Sequence, residues 1–132
     1  MNAIRARVLV VDQDQECLIA LEHLLEDEGF ATTTAWTGLD ALKASVGKKF
    51  DLVLVNEHLP DMDAEELMKQ IHRVEAEMPI VVMQASRAVI PDLRSFCWPG
   101  AVEVVCKWSL RNVLEAVRTH QKPRRAFAAV GH

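Results

Sequence analysis

A chain of 132 residues, half of them apolar and 26% charged, has room for one domain with a proper core and too little for two of ordinary size. Its formal net charge of -4 excludes a general attraction for nucleic acid or anionic membrane, and its longest apolar runs are strand-length, far below a membrane span. Three cysteines, Cys17, Cys97 and Cys106, form no C-x-x-C pair and are odd in number, which argues against a disulfide framework or zinc site and leaves them as buried thiols. The small basic knot of Lys122, Arg124 and Arg125 does not change the charge argument. The opening residues run from two arginines into a strand without the apolar segment of a signal peptide, so a cytoplasmic location is expected.

Arg7 to Val11 (RVLVV) reads as a buried first strand spilling into the acidic turn Asp12-Gln13-Asp14. Asp14 caps a helix whose inner face is Leu18, Leu21 and Leu25, with Leu24 alongside, and Gly29 supplies its left-handed stop. Phe30 to Ala35 is β-branched and mostly polar, as expected of an edge strand. Thr37, with Asp40 three residues on, caps a second helix predicted to turn Leu39, Leu42 and Val46 inward before Gly47 ends it. Leu52 to Val55 are four apolar residues in a row, the pattern of a strand covered on both faces, and they end in Asn56, Glu57, His58 and, two residues on, Pro60.

Asp63 with Glu66 opens a third helix carrying Leu67, Ile71 and Val74 on its inner face. Pro79 precedes IVVM, another buried strand, whose end carries Gln84, Ala85 and Ser86. Pro91 begins a short fourth helix with Leu93, Phe96 and Cys97, stopped by Pro99 and Gly100. Val102 to Cys106 is the last strand and ends in Lys107. Ser109 caps a fifth helix with Leu110, Val113, Leu114 and Val117 inward, and Pro123 ends it. The domain is expected over 1–122, with 123–132 a flexible tail.

Five nearly continuous apolar strands alternating with helices require right-handed crossovers and a parallel sheet covered on both sides. The flavodoxin-like (βα)5 fold with strand order 2-1-3-4-5 fits best, because it makes the polar second strand an edge. Asp12, Gln13, Asn56, Gln84 and Lys107 then converge at the carboxyl edge, where open α/β sheets place their chemistry.

These ordered motifs carry a resemblance. VLVVDQD, DLVLVNEHLPDMDA, PIVVMQAS and GAVEVVCK, in that order and spacing, resemble the receiver domain of two-component response regulators from Arg7 to about His120. The resemblance implies an acidic pocket after the first strand, a phosphoacceptor aspartate after the third, magnesium, a switch hydroxyl, a switch aromatic and an essential lysine. Asp12 matches the first acid and Lys107 the lysine. Gln13 stands at the second acid, Asn56 at the phosphoacceptor, Gln84 at the switch hydroxyl, Val104 at the switch aromatic, and Trp108 at the proline after the lysine.

An amide cannot form an aspartyl phosphate, so phosphorylation at Asn56 is not expected. Magnesium, left with Asp12, the His58 carbonyl and neutral amides, is expected to bind weakly or not at all. Lys107 is expected to balance Asp12 and donate to the Asn56 carbonyl, and Gln84 to hydrogen-bond permanently into the cleft. The Lys107–Trp108 bond is expected trans, since a cis bond before a non-proline residue costs roughly 3 kcal/mol.

His58 reads as a solvent-exposed loop residue, and His23 and His72 as surface residues on helices. Among Trp36, Trp98 and Trp108, the last is the preferred exposed aromatic. Two functions compete. The first is a phosphorylation-independent pseudo-receiver, not an enzyme, that presents the face formed by the fourth helix, fifth strand and fifth helix (Arg94, Trp108, Arg111, Arg118) to a histidine kinase, an output protein or its own copy. The second is a haloacid dehalogenase-type phosphatase with Asp12 as nucleophile and Asp14 as acid. Flavin binding is disfavoured by an acidic first turn that lacks a phosphate cradle.

Overall fold

The structure, a computed structural model, describes residues 5–85 and 98–122. Along the chain lie β1 (Arg7–Val11), α1 (Gln15–Asp27), β2 (Ala31–Ala35), α2 (Gly38–Gly47), β3 (Leu52–Asn56), α3 (Ala64–Val74), β4 (Ile80–Gln84), β5 (Glu103–Cys106) and α4 (Leu110–His120). The last of these is the fifth helix of the sequence reading. The short helix expected from Pro91, Arg94 within it, Cys97 and the segment 123–132 lie outside the described residues.

The strands pair in parallel throughout, in the order β2-β1-β3-β4-β5, as the polar character of β2 requires. Alternation splits the apolar strands between two cores. Leu9, Val11, Val53, Val55, Ile80, Val82 and Val104 meet Ala41 of α2 and Leu67, Met68 and Ile71 of α3. Val8, Val10, Leu52, Leu54, Val81, Met83 and Val105 meet Leu18, Leu21 and Leu25 of α1 and Val113, Ala116 and Val117 of α4. Each fully buried aliphatic side chain stabilises the fold by roughly 1.5–3 kcal/mol, which is why β3, buried at every residue, tolerates no polar alternation.

The helix starts follow local chemistry. Asp14 Oδ1 accepts from the Glu16 and Cys17 N–H groups, Thr37 Oγ1 from Asp40, Asp63 Oδ1 from Glu66 and Ser109 Oγ from Asn112. Gly29 closes α1 with φ 95, a left-handed conformation that a side chain would strain. No peptide bond among the described residues is cis, so the Lys107–Trp108 bond is trans as expected.

Several side chains depart from expectation. Leu39 and Val46 are 53% and 85% exposed, and α2 instead buries Gly38 and Ala41. The close seat of the first turn explains it: a Cβ on Gly38 would lie 2.4 Å from Met62 Sδ, while Leu42 packs half-buried against the core as expected. Val74 and Leu110, terminal residues of their helices, turn outward rather than over the sheet. Cys17 and Cys106 are half-buried rather than buried. His72 is also half-buried, its Nε2 2.9 Å from the Met78 carbonyl oxygen, while His23 is exposed as expected.

Candidate functional site

The register that aligns Val11 with Val55, Asn56 with Met83 and Gln84 with Cys106 ends four strands at one level. Asp12 leaves β1 there, its N–H donating to the Ala35 carbonyl at 3.1 Å, and its carboxylate is fully buried. Oδ1 accepts from the Asp14 N–H at 3.0 Å and Oδ2 from Lys107 Nζ at 2.7 Å. Lys107 follows β5, and its own N–H donates to the Gln84 carbonyl at 2.9 Å. Burial works against its ammonium, but the hydrogen bond and charge of Asp12 outweigh that and hold its pKa above the ordinary lysine value.

Asn56 closes β3 and is buried. Its Nδ2 donates to the His58 carbonyl oxygen at 2.9 Å, and among the described residues its Oδ1 has no hydrogen-bond partner. The expected bond from Lys107 to that oxygen is therefore not formed: the ammonium takes the carboxylate, a stronger acceptor than a neutral amide. The expected hydrogen bond from the Gln84 side chain into the cleft is also missing among the described residues. Alternation along β4 turns Gln84 toward the Val82 face, where it is half-buried, and only its carbonyl serves the site. Gln13 is exposed, and Val104 is sealed in the core.

Three residues escaped sequence reasoning. Glu57 Oε2 accepts from the Ala85 N–H at 3.2 Å and so ties the turn after β3 to the end of β4. Cys17, in the first turn of α1, lies against the Asp12–Lys107 pair; burial, then the charge of Asp12, raises its pKa to about 11, with Lys107 pulling the other way. Asp61 accepts from the Gly38 and Leu39 N–H groups at 2.9 Å each. Burial opposes its charge slightly, yet these hydrogen bonds hold its pKa below the usual carboxylate range. His58 is exposed as expected; its Nε2 stands 3.9 Å from Glu57 Oε1.

With this geometry in view, the response regulator receiver domain model matches residues 8–118. The chain belongs to that family. It is a receiver domain of two-component signalling, similar to the transcriptional regulatory protein GlrR of Escherichia coli K12, with 33% identity over 102 residues. That match covers 77% of this chain but 23% of GlrR, so the chain spans about a quarter of that relative. Among solved structures, a CheY-like receiver from Methanospirillum hungatei JF-1 superposes with a TM-score of 0.77 at 26% identity, covering 88% of this chain and 93% of the other. TrrA of Thermotoga maritima, solved in complex with Mg(2+)-BeF, gives 0.75 at 28% identity over 86% and 97% of the two chains.

The phosphatase alternative finds no support. The family is a different one, and Asp14 is engaged in capping α1 while Asp12 is locked to Lys107.

Proposed function

We propose that this receiver operates without phosphorylation, as a protein-binding module of two-component signalling. One observation carries the reading: at the phosphoacceptor position the Asn56 amide is engaged with the His58 carbonyl, while the neighbouring carboxylate of Asp12 is engaged with Lys107. An amide is not a nucleophile toward phosphorus, and no aspartyl phosphate forms from it.

The donors do not suit magnesium either. Such a site uses one or two free carboxylates with water and phosphate oxygens, whereas here the carboxylate is ion-paired and the His58 carbonyl already accepts a hydrogen bond. Among the described residues, no group of three or more His, Cys, Asp or Glu is placed to hold a metal ion. We therefore assign no enzymatic or metal-dependent step to the cleft.

The binding face runs along β5 and α4. Trp108 is 54% exposed, and Lys107 Nζ lies 5.3 Å from its ring centroid, so the buried ion pair steadies an exposed aromatic. Arg111 is exposed beside it, and Arg118 is tied to Glu28. Arg94 lies outside the described residues. Partners of matching chemistry are a histidine kinase, an output protein or a second receiver. No helix among the described residues is long and apolar enough to cross a membrane, and a cytoplasmic setting is part of this reading.

Incubation with acetyl phosphate and magnesium, followed by intact-mass measurement, tests the proposal. The wild-type chain is expected to gain no phosphoryl group, and Asn56→Asp to be labelled slowly, for want of the second acid at Gln13. A phosphoryl adduct on the wild-type chain would overturn the reading.

A further inference from the structure

Helix α2 turns its small Gly38 and Ala41 inward and two of its large apolar residues, Leu39 and Val46, outward. Gly38 and Ala41 face the sheet, Leu42 is half-buried and packs against the core, and Leu39 and Val46 are exposed. Leu39, Leu42 and Val46 recur at i, i+3 and i+7 and form one apolar stripe about 10 Å long. Trp36, 51% exposed, stands just ahead of it.

The helix cannot roll to hide this stripe. The Asp61 carboxylate holds the Gly38 and Leu39 N–H groups, and Met62 fills the space beside Gly38. Rotation would break both contacts at once.

Charge is sorted along the same helix. Asp40 and the capping Asp61 lie at its amino end, and Lys43, Lys48 and Lys49 at and beyond its carboxyl half. With the helix dipole, this polarity is complementary to itself in an antiparallel pair and repulsive in a parallel one. We propose that the α2 face is a dimer interface, on which a second copy of the chain lays its own α2 antiparallel across a two-fold axis.

In that register Leu39 packs on Val46 of the second copy and the reverse, as an isologous contact requires. Leu42 lies along the Lys43 stem of the second copy, and Asp40 comes within reach of its ammonium. Trp36 falls level with Lys49 of the second copy, a cation–π geometry. One short helix makes a small interface, so the dissociation constant is expected on the order of 100 μM.

Sedimentation of the full 132-residue chain from about 10 μM to about 1 mM tests this. A monomer–dimer equilibrium is expected, weakened about 30-fold by Val46→Arg. That residue is 85% exposed, so its replacement leaves the fold intact, which circular dichroism checks. Asp40→Lys and Lys43→Asp are each expected to weaken association about 5-fold, and their combination to restore it. Ile19→Ser, at an exposed position of α1 on the other side of the sheet, is expected to leave the constant unchanged. A chain that stays monomeric at the highest concentration, a Val46→Arg dimer as tight as wild type, a charge swap without rescue, or loss of the dimer on Ile19→Ser would each overturn the proposal.

Discussion

Asn56 satisfies its amide nitrogen and strands its amide oxygen, and an unpaired buried acceptor costs roughly 1–3 kcal/mol. The pair beside it is the stronger constraint. Removing one partner of a buried ion pair leaves an uncompensated charge, so Lys107→Met is expected to lower stability in urea unfolding by about 3–5 kcal/mol, and Asp12→Asn/Lys107→Met by clearly less. Cys17 reports on the same pair. With its pKa raised from 9.0 to about 11, its thiolate is roughly 100-fold scarcer near neutral pH than that of an ordinary thiol. Alkylation by iodoacetamide, read by peptide mass spectrometry, is expected to be slower at Cys17 by that factor, and an ordinary rate would contradict the contact. Asp12, Asn56 and Lys107 were legible as positions on ordered motifs. Their partners were not, since Lys107 meets Asp12 across 95 residues of sequence.

Among the elements, helix ends were the most legible, because a cap depends on residues within a turn of one another. Asp14, Thr37, Asp63 and Ser109 all cap as their spacing indicates. The second cap of α2 was hidden, since Asp61 comes from 22 and 23 residues away. Asp61→Ala is expected to cost about 1 kcal/mol in urea unfolding by orphaning two helix N–H groups. The inner face of α2 was misread for a related reason. Periodicity favours the larger side chains, but the space at the helix is set by Met62 of a later loop. Gly38→Ala should push the flexible Met62 side chain aside. Combined with Met62→Ala, it is expected to show a coupling energy of about 1 kcal/mol in a double-mutant cycle, whereas additivity would mean the two do not touch.

At the scale of the whole molecule, the two raised pKa values act together on stability. Both groups hold their protons more tightly in the folded chain, so rising pH favours the unfolded chain, which releases them more readily. The Cys17 contribution is complete below pH 9.0 and lost as the pH climbs to about 11. The Lys107 contribution is complete below the ordinary lysine pKa, about 10.4, and is lost above its raised folded value. The urea midpoint is therefore expected to stay level through neutrality and fall above about pH 9, with a shallower fall in Cys17→Ser. A midpoint that rises over this interval would contradict the contacts assigned to the cleft.

Strand order, the polar edge at β2, the doubly covered β3 and the set of residues at the carboxyl edge follow from the sequence alone, because periodicity, caps and crossover handedness operate locally or through general topology. Tertiary structure decided which groups meet at that edge: Lys107 takes Asp12 rather than Asn56, Asn56 turns to His58, Gln84 leans to the Val82 face, and Cys17 closes over the pair. It also decided that α2 shows Leu39 and Val46 to solvent. These outcomes depend on competition between groups far apart in the chain, and only their distances in space settle which acceptor or which face wins.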